Sequence, residues 1–226
     1  MNSGIIVAGG KSERMGADID KAFLSLGTKP VVLYSLFAFE KCSDIDEVIL
    51  VVRKDRIEAA RQAVRMFGCN KVKKIVAGGT LRQKSVINGI KEVDKETDIV
   101  VVHDGARPCV SANLISQTVA SAKQHGSGIA AVKITDTVKS VDKGMVISET
   151  IDRSKLWLVQ TPQAFKINLL KKALTFIVKK KIKVTDEASA VELVSKGVRL
   201  VAASFSNIKI TTPDDLTFAA ALMRLF

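Results

Sequence analysis

Cationic side chains gathered beside glycine turns are the feature of this chain most suggestive of chemistry. The segment Ala8-Gly9-Gly10-Lys11-Ser12-Glu13-Arg14-Met15-Gly16 follows the apolar run Ile5-Ile6-Val7, and Lys21 comes shortly after. Glycines let backbone N–H groups approach phosphate oxygens with no Cβ in the way. Arg14 and Lys21 could neutralise charge that grows there, which a plain tight turn would not require. Two commoner motifs are excluded. Gly10-Lys11-Ser12 imitates the end of a P-loop, but Ile5 stands where that motif needs glycine. The dinucleotide fingerprint G-x-G-x-x-G fails because Gly9 and Gly10 are adjacent and the next glycine is Gly16.

A second constellation is Val102-His103-Asp104-Gly105-Ala106-Arg107-Pro108. Its apolar lead-in reads as a strand, and in open parallel sheets the carboxyl ends of strands line the ligand crevice. Asp104 could steer a magnesium ion or its bound water, and Arg107 could grip a phosphate. The alternative is a salt bridge between the two beside a helix start. His103 reads as a packed strand residue. In a third stretch, Gly78-Gly79-Thr80-Leu81-Arg82-Gln83-Lys84-Ser85, a glycine turn opens a helix. It could read a base or ribose with free N–H groups, or be only a turn with a helix cap; the residues leave both open. No Ser-His-Asp set, zinc spacing or paired catalytic carboxylates emerges. What remains suits phosphoryl-type transfer, which needs positioning and charge neutralisation with a metal arriving on the nucleotide.

These segments need a scaffold that brings several strand ends together. Short apolar runs alternate with stretches of helical period, which predicts α/β architecture with a mostly parallel sheet flanked by helices. Strands are expected at Ile5 to Ala8, Glu47 to Val52, Val72 to Val76, Ile99 to His103, Ile129 to Lys133 and Val198 to Ala202. Helices are expected at Val31 to Lys41, Asp55 to Phe67, Leu81 to Val93, Ser111 to Gln124, Asn168 to Lys179, Asp186 to Ser195 and Pro213 to Arg224. Thr185 reads as a cap before Asp186 and Glu187, and Thr212-Pro213-Asp214-Asp215 as a helix start with proline at its first position. Residues 136–152 break the alternation as two β-like arms around Asp142-Lys143-Gly144. A lone hairpin is marginal in water, so this one should pack on something, often a second copy of the chain.

The 226 residues suit one domain, and with nine Phe, one Trp and one Tyr the core must rest on Val, Ile, Leu and Ala. Net charge is +12, from 35 Lys and Arg against 23 Asp and Glu, which favours polyanions or small anionic substrates. Lys179-Lys180-Lys181 with Lys183 lacks interleaved aromatics and reads as a solvated helix end. Cys42, Cys69 and Cys109 form no metal-ligand spacing and read as reduced thiols. With no secretory leader or membrane span expected, the chain reads as cytoplasmic, with no membrane partner.

Seven ordered blocks resemble the 2-C-methyl-D-erythritol 4-phosphate cytidylyltransferases of the non-mevalonate isoprenoid pathway. They are Ala8-Gly9-Gly10 through Arg14-Met15; Gly78-Gly79 with Arg82 and Ser85; Val102 to Pro108; Asp136-Thr137-Val138-Lys139; Leu156-Trp157 with Gln160-Thr161-Pro162-Gln163; Thr185 to Ala190; and Asn207-Ile208-Lys209. The resemblance implies a Rossmann-like nucleotidyltransferase fold with a protruding β-hairpin dimerisation arm. It implies transfer of CMP from CTP to a sugar-alcohol phosphate, with Mg2+ or another divalent cation bound mainly through the CTP phosphates. No protein ligands for that metal can be read from the sequence.

By the same resemblance Ala8, Gly9, Gly10, Gly79, Arg82, Ser85 and Asp104 belong to the nucleotide site. Arg14 and Lys21 would stabilise the transition state around the α-phosphate, with Arg153 and Lys209 also counted as catalytic. Asp104, Arg107, Thr161 and Lys209 would line the acceptor pocket, and Thr137, Arg153 and Thr185 would reach the acceptor from a partner subunit. The glycine loop departs from the family pattern at Val7, Gly9 and Ser12, which brings it nearer the broader nucleotidyltransferase superfamily. A ribitol- or other polyol-phosphate cytidylyltransferase would share the CTP site, but relatives of that kind tend to carry Val between the Ala and Arg that are adjacent here as Ala106 and Arg107. A basic nucleic-acid-binding protein would fit the charge but not the missing recognition helix and stacking aromatics, so no nucleic-acid partner is expected.

Overall fold

The computed structural model describes residues 1–10 and 20–225. Arg14, with Lys11, Ser12, Glu13, Met15 and Gly16 of the first glycine segment, lies outside the described residues. The strands run in chain order as β1 (Asn2–Ala8), β2 (Ser25–Leu26), β3 (Lys29–Pro30), β4 (Glu47–Val52), β5 (Val72–Ala77) and β6 (Ile99–Asp104). They continue as β7 (Ser127–Lys133), β8 (Val138–Val141), β9 (Ile147–Ile151), β10 (Trp157–Lys166) and β11 (Leu200–Ala202). The α-helices are α1 (Val31–Lys41), α2 (Ile57–Met66), α3 (Arg82–Ile90), α4 (Ala112–His125), α5 (Ile167–Lys180), α6 (Glu187–Glu192) and α7 (Pro213–Leu222).

Seven strands form the main sheet in the order β11-β7-β10-β6-β1-β4-β5. The β1 pairings with β4 and β6, and those of β4 with β5 and β7 with β11, are parallel, while β10 runs antiparallel to both β6 and β7. Alternation along each central strand sends Ile6, Leu50, Val52 and Val101 to one face and Ile5, Ile49, Val51 and Val102 to the other. The first face packs on α1, α2 and α4, and the second on α3, α5 and α6. Both faces are thus covered, which accounts for the near-continuous apolar strands.

Strand β10 is the main element that the sequence pattern does not disclose. Its pairing with β7 shifts register between Val159 and Gln163, and that irregularity absorbs Pro162 within an inner strand. Since β10 runs against its neighbours, its first half rises at their carboxyl ends and brings Thr161 to β6. The short β2 and β3 pair is likewise absent from the expectation. Several bounds also move. β1 begins at Asn2 because polar partners hold its start: Asn2 N–H donates to Asp46 Oδ2 at 2.6 Å and the Ser3 hydroxyl to Glu47 Oε1 at 2.7 Å. A 3-10 turn over Lys54–Arg56 delays α2 to Ile57.

Helix starts follow local polar chemistry. Ser111 accepts from Leu114 N–H at 3.2 Å to cap α4, and Thr212 with Asp215 forms a reciprocal capping box on α7. Asp186, not Thr185, caps α6, accepting from Ser189 N–H at 2.9 Å. Arms β8 and β9 form the expected hairpin, which stands as its own two-stranded sheet with Met145 83% exposed at its turn.

Helix α4 approaches β7 closely at Gly128, where a Cβ would lie 2.3 Å from the Thr118 carbonyl oxygen. Gly128→Ala is therefore expected to cost about 1–3 kcal/mol, because backbone rather than a flexible side chain must move. Urea unfolding measures this, and an unchanged midpoint would contradict the packing.

Candidate active site

The carboxyl ends of β1, β4, β5 and β6 lie side by side, so the segments following them converge on one rim. Gly9 follows β1 and passes over β4, where a Cβ would stand 3.4 Å from the Val52 carbonyl carbon. Gly78 N–H donates to Val52 O at 2.8 Å, anchoring the second glycine turn to the same strand end. Gly79 N–H then donates to the Ser85 hydroxyl at 3.0 Å, and that hydroxyl bonds the Leu81 carbonyl at 3.3 Å. Ser85 therefore shapes the turn. Leu81 occupies the α3 cap position with no side-chain cap, and the Gly79 N–H is taken up inside the turn.

Lys21 lies in a turn pinned to the same rim. Ala22 N–H donates to Asp20 Oδ1 at 3.2 Å and Phe23 N–H to the Asp20 carbonyl at 3.0 Å. Arg56, just past β4, places its Nε 3.6 Å from Asp20 Oδ2.

At the end of β6, Asp104 is almost buried and holds two cations. Oδ1 accepts from Arg82 Nε at 3.0 Å and Oδ2 from Lys209 Nζ at 2.6 Å. Burial alone would raise this carboxyl; the Arg82 and Lys209 charges outweigh it and hold it well below the usual carboxylate range. The expected alternative, a bridge from Asp104 to Arg107, is not what forms. Arg107 donates from Nη1 to the Asn207 carbonyl at 2.7 Å, and its buried Nε has no partner among the described residues. Arg82, Asp104, Arg107, Thr161, Thr185 and Lys209 all line one cavity of about 240 Å3.

A chain of hydrogen bonds fixes the floor of that cavity. Asp104 N–H donates to Thr161 Oγ1 at 3.0 Å, Thr161 Oγ1 lies 3.1 Å from His103 Nδ1, and His103 Nε2 lies 3.3 Å from the Arg107 carbonyl. A neutral imidazole with its proton on Nε2 satisfies every member. Burial pushes the His103 imidazole down to about 3, so it is a structural link and not a base. Its ring proton shifts are expected to stay constant from about pH 8 to about pH 5 in an NMR titration; an inflection in that span would contradict the assignment. Since the folded value lies below the usual 6.5, the unfolded chain protonates first, and this contribution to stability drains as pH falls from 6.5 toward about 3.

Not every expected residue joins the cavity. Thr137 and Arg153 sit exposed near the base of the hairpin, and Arg153 Nη1 donates to the Thr135 carbonyl beside a separate hollow. Thr185, expected from a partner subunit, lines the cavity from within the same chain because the Asp186 cap turns the segment before α6 inward. Arg82, expected at the nucleotide, is clamped between Asp104 and Glu187 on the cavity wall.

Sequence reasoning missed Glu187, Gln163 and Asn207 as individual site residues. Gln163 donates to Asp186 Oδ2 at 2.8 Å and accepts from Ala188 N–H at 3.0 Å. Asn207 donates to the Gln160 amide oxygen at 2.8 Å and to the Thr161 carbonyl at 2.9 Å. Their signal was membership in the blocks that carry the resemblance. Burial pushes the Cys69 and Cys109 thiols up to about 11, which leaves both protonated and poor nucleophiles.

A mostly parallel sheet whose rim carries Gly9, the Gly78-Gly79 turn and a cationic cavity is the arrangement expected of a nucleotidyltransferase. The family model described as 2-C-methyl-D-erythritol 4-phosphate cytidylyltransferase (IspD) matches residues 3–225, and the chain belongs to that family. A protein of that name from Clostridium tetani is 41% identical over 225 residues, covering 100% of this chain and 91% of that protein. Among solved structures, 4-diphosphocytidyl-2C-methyl-D-erythritol synthase from Anaerococcus prevotii superposes with a TM-score of 0.86 at 32% identity, covering 99% of this chain and 96% of that one. The Francisella tularensis enzyme does so with a TM-score of 0.81 at 33% identity, covering 98% and 99%.

Proposed function

We propose that this chain transfers CMP from CTP to 2-C-methyl-D-erythritol 4-phosphate, giving 4-diphosphocytidyl-2-C-methyl-D-erythritol and pyrophosphate for isoprenoid precursor synthesis. One observation carries the reading beyond family membership: the Arg82–Asp104–Lys209 lattice and Arg107 line one cavity at the rim that also holds Gly9 and the Gly78-Gly79 turn. An acceptor phosphate taken up by Arg107 and Lys209 would attack the α-phosphorus in line. The bond from that phosphorus to the bridging oxygen of the β-phosphate breaks, and pyrophosphate leaves with the electron pair. The acceptor oxygen is already ionised, so no general base is needed. Arg14 and Lys21 would take up charge at the α-phosphate, with the glycine turns and Ser85 holding the nucleotide.

Magnesium would enter with the triphosphate. Among the described residues no group of His, Cys, Asp or Glu side chains forms a cation cage, and both Asp104 oxygens are already engaged by Arg82 and Lys209. The described side chains do not fit a metal held by the protein alone, and no step here runs through one.

The chain acts as a homodimer in this reading, with the hairpin as the arm. Met145, Val146 and Ile147 on the hairpin and Leu158 on β10 are exposed apolar groups that support a packed partner, which would bring its own Thr137 and Arg153 to the acceptor. Free Cys42, Cys69 and Cys109 support a cytoplasmic setting. Among the described residues no helix is long and apolar enough to cross a membrane.

Pyrophosphate release from each of four nucleoside triphosphates, with methylerythritol phosphate or ribitol phosphate, tests the reading. Turnover should be fast only for CTP with methylerythritol phosphate. Preference for ribitol phosphate would transfer the chain to the polyol relatives, and no release with any pair would end the proposal.

A further inference from the structure

Glu187 is a charged side chain where burial is costly, with only 2% of its surface exposed on α6. Isolated carboxylates in such places cost several kcal/mol, and replacing a buried ion pair by packed apolar groups is often neutral or stabilising. Folding alone therefore gives little reason for a glutamate here. Its partner is more informative. Both Glu187 oxygens accept from Arg82 Nη1, at 2.7 and 2.9 Å, while the Nε and Nη2 edge of the same guanidinium faces Asp104 Oδ1 at 3.0 Å. A planar guanidinium gripped at two places has no freedom to swing, so Asp104 meets a fixed donor pair and Lys209 meets a fixed Asp104. Glu187 does not line the cavity, whereas Arg82, Asp104 and Lys209 all do.

The same contact joins two walls. Arg82 opens α3, the helix whose Ser85 holds the Gly79 turn. Glu187 opens α6, directly after the cavity residues Thr185 and Asp186. We propose that Glu187 is a positioning residue: by holding Arg82 it aims the Asp104–Lys209 pair at the acceptor and locks the Thr185–Asp186 wall to the helix behind the nucleotide turn. This rests on the cytidylyltransferase reading for its kinetic consequence and on geometry alone for the clamp.

The test compares the full-length protein with Glu187→Gln, Arg82→Gln and the double variant. Glu187→Gln keeps the side-chain shape and removes the charge. With CTP and methylerythritol phosphate, it should raise the acceptor KM about tenfold and leave the CTP KM within about twofold, a split that mere loss of folded enzyme would not produce. On the Arg82→Gln background it should add less than about twofold, since its effect passes through Arg82. An acceptor KM unchanged in Glu187→Gln, or an undiminished tenfold effect in the double variant, overturns the proposal. The Arg82 Nε–H signal in NMR of the free protein gives a readout that needs no substrate. It should be protected from exchange in the wild type and lost in Glu187→Gln; an unaltered signal also overturns the proposal. If the wild-type protein shows no turnover, the functional reading fails while this signal still decides the clamp.

Discussion

Asp104→Asn is expected to lower kcat/KM for the acceptor by about 10²-fold, chiefly through KM. The wild-type carboxylate is the one anion that Arg82 and Lys209 share, at 3.0 and 2.6 Å. The amide keeps the shape but offers one acceptor oxygen and presents N–H groups to a cation. Arg82 retains Glu187, whereas Lys209 loses the one ionic partner it has among the described residues and swings away from the cavity. Misplacement of about 1 Å at a reacting centre costs about 10²-fold, which sets the magnitude. Removing one partner of a buried pair also costs about 3–5 kcal/mol of stability, so the variant must be assayed below its unfolding transition. Initial rates over a range of acceptor concentrations measure the effect; kcat/KM within about threefold of wild type would contradict the assigned role of the lattice.

Lys21→Ala should act differently, lowering kcat by about 10²-fold or more with little change in the acceptor KM. One charge-stabilising donor aimed at developing negative charge contributes about 3 kcal/mol to the barrier. The turn carrying Lys21 is pinned by Asp20 through Ala22 and Phe23 N–H, and Arg56 sets Asp20 against the end of β4. A fixed backbone at Lys21 leaves less of the chain to be ordered when a nucleotide binds, a condition that favours electrostatic stabilisation. Single-turnover rates at saturating CTP separate this from weakened binding, and a loss confined to KM for CTP would contradict it.

The contrast between β6 and β10 explains how much of this molecule can be read from its sequence. Ile99 to Val102 is a continuous apolar run, buried on both faces, and its position fixes Asp104 at a strand end where function is expected. The middle of β10 instead presents Gln160, Thr161, Pro162 and Gln163, a polar stretch with proline that carries no strand pattern. All four are buried in an inner strand because Asn207, Asp104, Asp186 and Ala188 supply their polar atoms with partners and a register shift accommodates the proline. Those partners come from distant parts of the chain, so no local pattern announces them.

Glu187 illustrates the same limit. In sequence it is one acidic residue in the first turn of a helix, the ordinary complement to a helix dipole. Its meaning comes from Arg82, 105 residues away, which only the fold brings within 2.7 Å. The place of Thr185 on the cavity wall was likewise illegible, because it depends on the Asp186 cap turning that segment inward. Strand ends and the Thr212-Pro213 helix start are local and were legible; the cap of α6 and the pairing of buried charges were not.

The most direct test of the account follows the phosphorus atom that is said to move. CTP labelled with 32P at the α-phosphate is incubated with the protein, magnesium and 2-C-methyl-D-erythritol 4-phosphate. The label should pass into a diphosphate that contains the acceptor, with none in the released pyrophosphate. Label recovered as CMP, or remaining in CTP while the acceptor is unchanged, would contradict the claim that this rim sets the acceptor phosphate in line with the α-phosphorus.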